Sequence, residues 1–114
     1  TAASILSNQV IAVLDMGYSL LEDCGFTRAE AVRATGQLVM RNIENVLEAG
    51  CDGALTGPIE RNDIETVKKH IACMQNDDSD DVRLYKMLGT KLVNIAEKKN
   101  PDKDYTQMME LLRG

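Results

Sequence analysis

Cys24-Gly25-Phe26-Thr27-Arg28-Ala29-Glu30 lies between two long runs of helical spacing, and its reading decides the fold. Gly25 suits the position just past a helix end, where the chain turns left-handed and a Cβ is penalised. Thr27 and Glu30 have the spacing of a capping box, in which hydroxyl and carboxylate each satisfy an otherwise orphaned backbone N–H. A stop followed at once by a start predicts two helices folded back on each other.

The run before this turn, from Thr1 to about Cys24, carries Leu6, Val10, Val13, Leu14, Gly17 and Leu21 on one stripe. The run after it reaches about Ala49, with Val32, Thr35, Val39, Asn42, Ile43 and Val46 in phase, and Gly50 ends it. Between Gly50 and Arg61 the periodicity breaks, yet Ala54, Leu55 and Ile59 keep the stretch from being simply hydrophilic. Helical spacing resumes at Ile64, Val67, Ile71 and Met74, with Asn62 placed as N-cap and Glu65 completing a second capping box. The acidic stretch Asn76-Asp77-Asp78-Ser79-Asp80-Asp81 reads as a linker whose last members suit a helix start. Val82, Tyr85, Leu88, Leu92, Val93 and Ala96 mark a fourth helix, which Asn100-Pro101 breaks. Asp104 to Arg113 gives a short fifth, with Met108, Leu111 and Leu112. There is no alternating strand pattern and no fixed repeat. The expectation is an all-α bundle of about five helices, with two long antiparallel N-terminal helices, forming one domain over residues 1–114.

Composition narrows the function. A net charge of −5 opposes binding to a phosphate backbone, so no nucleic-acid partner is expected. Lys68-Lys69 and Lys98-Lys99 are short enough to be solvated helix faces. With no Trp, aliphatic side chains and six Met must fill the core. Met also suits packing against a partner subunit. Cys24, Cys51 and Cys73 are odd in number and lack a CxxC spacing, which predicts reduced, largely buried thiols in a cytoplasmic protein. His70 and Cys73 stand one helical turn apart, but no second pair completes a tetrahedral site, so no metal is expected. No apolar run approaches the ~20 residues that span a bilayer, and no membrane partner is expected. The chain opens at Thr1 within a helical pattern and without Met, as a domain of a longer polypeptide would.

The most informative stretch for chemistry is Gly53-Ala54-Leu55-Thr56-Gly57-Pro58-Ile59-Glu60-Arg61-Asn62-Asp63. Pro58 fixes its own φ and restricts Gly57, so Thr56 offers a hydroxyl beside a stiffened backbone. Arg61 is a permanent positive charge just before a helix start, whose free amides also favour anions. A carboxylate or phosphate could be held there; equally, Arg61 could pair with Asp63 or Glu60 in a structural crossover. Ser7-Asn8 are indifferent helix formers amid apolar neighbours, and either face a polar cleft or lie in solvent. His70 reads as a hydrogen-bonded packing residue rather than a base, and no nucleophile–base arrangement stands out.

In order, Ser7-Asn8, Ala54-Leu55-Thr56-Gly57-Pro58-Ile59, Arg61, Asp63, Thr66-Val67 and His70 resemble one family. It is the C-terminal domain of unknown function that follows a Rossmann-like domain in NAD(P)-dependent oxidoreductases. Leu84-Tyr85-Lys86-Met87-Leu88-Gly89 also fits its final helix. The implied fold is the helical dimerisation domain of the pyrroline-carboxylate reductase and phosphogluconate dehydrogenase C-terminal superfamily. Asn62 departs from the pattern, which usually has Gly there; Asn is the next best tolerated residue at positive φ.

The resemblance implies a division of labour. An N-terminal Rossmann-like domain, absent from this chain, would hold NAD(P), and this domain alone would bind no cofactor and be inactive. It would close the cleft over the nicotinamide, build a homodimer and offer Asn8, Thr56 and Arg61 to a small-molecule substrate. Gly57, Pro58 and Asp63 would shape the loop and start the next helix. The competing expectation is a self-contained helical interaction module without enzymatic activity.

Overall fold

The computed structural model describes residues 1–74 and 80–114, and among these the chain is all helix, with no strand. We number the helices α1 (Ala2–Asp23), α2 (Arg28–Ala54), α3 (Ile64–Met74), α4 (Asp81–Lys99) and α5 (Thr106–Arg113). Residues 76–79 of the acidic linker lie outside the described residues. The chain divides into two compact units, Thr1–Ile43 and Glu44–Gly114.

The first unit is the antiparallel hairpin of α1 with the start of α2. Gly25 sits at φ 102°. The amide of Phe26 donates to the Leu21 carbonyl at 3.2 Å and that of Gly25 to the Glu22 carbonyl at 2.9 Å. This pair of bonds is the Schellman closure that a left-handed residue makes possible. The capping box forms reciprocally: the Thr27 amide donates to Glu30 Oε1 at 2.9 Å, and the Glu30 amide to Thr27 Oγ1 at 3.1 Å. Arg28 ties the turn back to α1, bonding Asp15 at 2.8 Å and Glu22 at 2.6 Å while lying over the Tyr18 ring. These bonds, to Asp15 foremost, hold its guanidinium pKa above the ordinary value.

Hairpin geometry is thus well specified, but burial is not. Ala31 is the only buried apolar residue of this unit. Leu6 is 77% exposed and Leu38 72%, although both belong to apolar sides of their helices. Between α1 and α2 runs an apolar groove of ≈190 Å³ lined by Val13, Gly17, Tyr18, Leu21, Thr35 and Val39. As folded, α1 is also long and apolar enough by length and composition to cross a membrane, contrary to the expectation that no apolar run approaches that length. It carries Ser7, Asn8, Gln9 and Asp15 along its length, and α1 is π-helical over Ile5–Gln9.

The second unit has a core. Ile59, Val67, Ile71, Val93, Ala96, Tyr105, Met108 and Leu112 form one buried cluster. Each of α3, α4 and α5 contributes its predicted stripe, with Met74 and Gly89 buried as well. Gly89 is a packing position: a Cβ there would stand 2.8 Å from Leu112 Cδ2. The helix expected to end at Gly50 resumes beyond it to Ala54, because Gly50 adopts φ 76°, ψ 173° and interrupts rather than stops the chain.

Two further expectations need correcting. All three cysteines are exposed. Cys24 falls at the turn after α1, and Cys73 is out of phase with Val67, Ile71 and Met74. The second capping box also does not form. Asn62 is left-handed at φ 61°, and Asp63 caps α3 instead, accepting from the Thr66 amide at 3.2 Å and the Thr66 hydroxyl at 2.7 Å.

Candidate functional site

The segment from Leu55 to Asp63 is a single helical turn set between two helices. Gly57 enters it at φ 98°, the left-handed region open to a residue without Cβ. Pro58 follows with its fixed φ. The Asp63 amide then donates to the Pro58 carbonyl at 2.8 Å and the Asn62 amide to the Ile59 carbonyl at 3.1 Å, a second Schellman closure with Asn62 in the left-handed place. Ile59 is buried in the core and anchors the turn. Thr56 and Arg61 are left exposed on either side of it.

Arg61 is 59% exposed, and its Nη2 stands 3.9 Å from Asp63 Oδ2, a long contact that leaves the guanidinium largely available. The free helix amides expected beside it are not simply free, because Asp63 already accepts from Thr66 at the start of α3. Hydrogen bonds from the Thr66 side chain and then its amide hold the Asp63 carboxyl below the usual carboxylate range. Negative charge is therefore built into this helix start.

The turn is held from outside by groups that sequence reading missed. Lys99 Nζ donates to the Leu55 carbonyl at 2.6 Å. The Tyr105 hydroxyl donates to the Glu60 carbonyl at 2.6 Å, while Asn100 Nδ2 reaches Glu60 Oε1 and Tyr105 Oη, each at 3.0 Å. Asn62 Nδ2 donates to the Asp104 carbonyl at 2.7 Å. The available signal was Asn100-Pro101, which reads as a turn: the Lys103 amide closes it on the Asn100 carbonyl at 3.1 Å.

Asn8 lies in the first unit, exposed in the π-helical stretch, and Thr56 and Arg61 lie in the second. Its neighbour Ser7 donates back to the Ala3 carbonyl at 2.6 Å. His70 is exposed, with Nδ1 3.0 Å from the Tyr85 hydroxyl and the two rings edge to face. Burial pushes the Tyr85 phenol above its ordinary pKa. Among the described residues no three His, Cys, Asp or Glu side chains gather as metal ligands.

A dinucleotide needs a glycine-rich turn after a strand and an unoccupied helix N-terminus for its diphosphate. The residues here do not fit it. Each helix start from α2 to α5 carries a carboxylate of its own: Glu30, Asp63, Asp81 and Asp104. Glu30 and Asp104 are held below the usual carboxylate range, Glu30 chiefly by the Thr27 amide and Asp104 by the Thr106 hydroxyl. A groove of ≈770 Å³ between α4 and α5 mixes Glu97, Asp104 and Glu110 with Lys103 and Arg113, so it selects no ligand charge.

A family model described as "Domain of unknown function (DUF2520)" matches residues 1–92. The chain belongs to this family. No curated protein and no solved structure matches it. The DUF2520 match takes in the whole Leu55–Asp63 turn and stops within α4, so Lys99, Asn100 and Tyr105 stand beyond the matched residues.

Proposed function

We propose that this DUF2520 domain is the substrate-side and dimerisation domain of an NAD(P)-dependent oxidoreductase, inactive by itself. NAD(P) is held by a Rossmann-like domain of the same polypeptide, in the cytoplasm. The motif resemblance over the loop supports the enzymatic link, and the carboxylate-capped helix starts support a cofactor site elsewhere. Thr56 and Arg61 contact a small-molecule substrate, with Arg61 supplying fixed positive charge for a carboxylate or phosphate; Asn8, in the other unit, is a separate substrate-side residue.

One observation carries the assembly role: within Thr1–Ile43, large apolar side chains of both α1 and α2 stay open to solvent. Ile5, Leu6, Ile11, Leu38 and Met40 are each more than half exposed. A fully covered side chain of this size contributes roughly 1.5–3 kcal/mol. Several must be covered together to exceed an association cost of ~4–15 kcal/mol. A second copy offers the same self-complementary surface.

Sedimentation velocity of the 114-residue chain tests this, with a dimer expected at micromolar concentration. A monomer at the highest soluble concentration sinks the assembly role. Calorimetric titration with NADPH is expected to give no binding heat, and micromolar affinity would place the cofactor site in this domain after all.

A further inference from the structure

We infer that the segment from Lys99 to Tyr105 is a clamp that sets where Thr56 and Arg61 stand, with Tyr105 as its principal positioning residue. This rests on the reading that those two side chains face a ligand. Loops between helices ordinarily sample many conformations, and this one is closed by a left-handed Asn62, a conformation asparagine tolerates second only to glycine. Its own backbone bonds are those of one turn. Four side-chain bonds from distant sequence supply what the turn lacks. They join Lys99 to Leu55, Asn100 to Glu60, Tyr105 to Glu60 and Asn62 to Asp104.

The bonds fall at both ends of the turn. Lys99 holds the entry at Leu55, next to Thr56, and Tyr105 holds the Glu60 carbonyl, next to Arg61. The Tyr105 ring is buried in the core cluster, so its hydroxyl refers the turn to the rigid part of the unit. Asn100 bonds both the Glu60 carboxylate and the Tyr105 hydroxyl, which itself bonds the Glu60 carbonyl, closing a triangle of three residues. Chain that precisely anchored presents its side chains at a fixed spacing, as ligand recognition requires.

Tyr105→Phe removes the hydroxyl and keeps the ring. In the isotope-labelled 114-residue chain, amide exchange at Arg61, Asn62 and Asp63 is expected to quicken about tenfold while α3 to α5 interiors are unchanged. Unchanged exchange at the turn overturns the clamp; a uniform rise across the core reports lost stability alone and overturns the positioning role. Lys99→Met is the second variant: exchange near Leu55 and Thr56 should quicken, and Lys99→Arg, which keeps a donor, should restore it. Failure of both statements likewise removes the clamp. Inorganic phosphate, followed through the Arg61 Nε–H resonance, separates the two readings. Wild type should respond, and Tyr105→Phe should need several-fold more phosphate. Equal response in both overturns the positioning role. No response in wild type, with faster turn exchange in the variant, overturns the ligand reading and leaves the clamp standing.

Discussion

The two units of this chain read alike as sequence and behave differently as structure. Both carry apolar stripes at helical spacing, but only Glu44–Gly114 buries them against each other. In Thr1–Ile43 one alanine is buried while leucines on both helices stay open to solvent. Two helices have too little mutual surface to cover both stripes, whereas three helices and a turn enclose a common interior. Periodicity says which side of a helix needs cover, and it is silent on what provides it.

Substitution of a core residue tests this contrast most strongly. Met108→Ala, at a position with no exposed surface, should cost ~2–5 kcal/mol in urea unfolding, independent of protein concentration. Leu38→Ala should cost within about 0.5 kcal/mol when the protein is dilute and more when it is concentrated. Equal, concentration-independent losses would erase the difference between the units.

Gly89→Ala comes next. The added Cβ presses on Leu112, which is buried and cannot swing into solvent, so a loss of about 1–3 kcal/mol is expected. A neutral result would mean that the interface between α4 and α5 is looser than its packing implies. Thr27→Ala, in the hairpin, removes one half of the capping box and should lower stability by about 1 kcal/mol in thermal unfolding. A change near zero would show that Gly25 and Arg28 close the turn without it.

The smallest effect is that of pH. Glu30, Asp63 and Asp104 have folded-state pKa values below their ordinary ones. Such groups add stability above their unfolded pKa, and that contribution is lost as pH falls through the folded pKa. The melting temperature should therefore drop as pH is lowered from neutral into the carboxylate range. Asp63→Asn should flatten part of that drop, and an unchanged slope would assign it to other groups.

Much of the fold was legible because its signals are local. Gly25, Thr27 and Glu30 each act on backbone groups within five residues, so their spacing alone predicts the hairpin turn. The stripes of α3, α4 and α5 were equally readable. The start of α3 was misread by one position because Asn62 and Asp63 are both good caps, and the left-handed turn at Asn62 leaves the role to Asp63. The thiols were misread because Cys is often buried, and that tendency says nothing about helix phase.

The loop shows the same limit from the other side. Thr56 and Arg61 stood out as a possible site on a loop shaped by Gly57 and Pro58, but Lys99, Asn100 and Tyr105 did not, although their bonds hold it. Those bonds join residues 40 to 45 apart, and no local spacing rule connects them.

By itself the amino-acid sequence determined the helical class, the order of the helices and the hairpin turn, since all depend on residues within a few positions of one another. Tertiary structure alone decided which stripe is covered, which residue caps α3, and which side chains grip the Leu55–Asp63 turn. Those outcomes depend on surfaces brought together from distant parts of the chain, where burial and hydrogen-bond geometry are set in space.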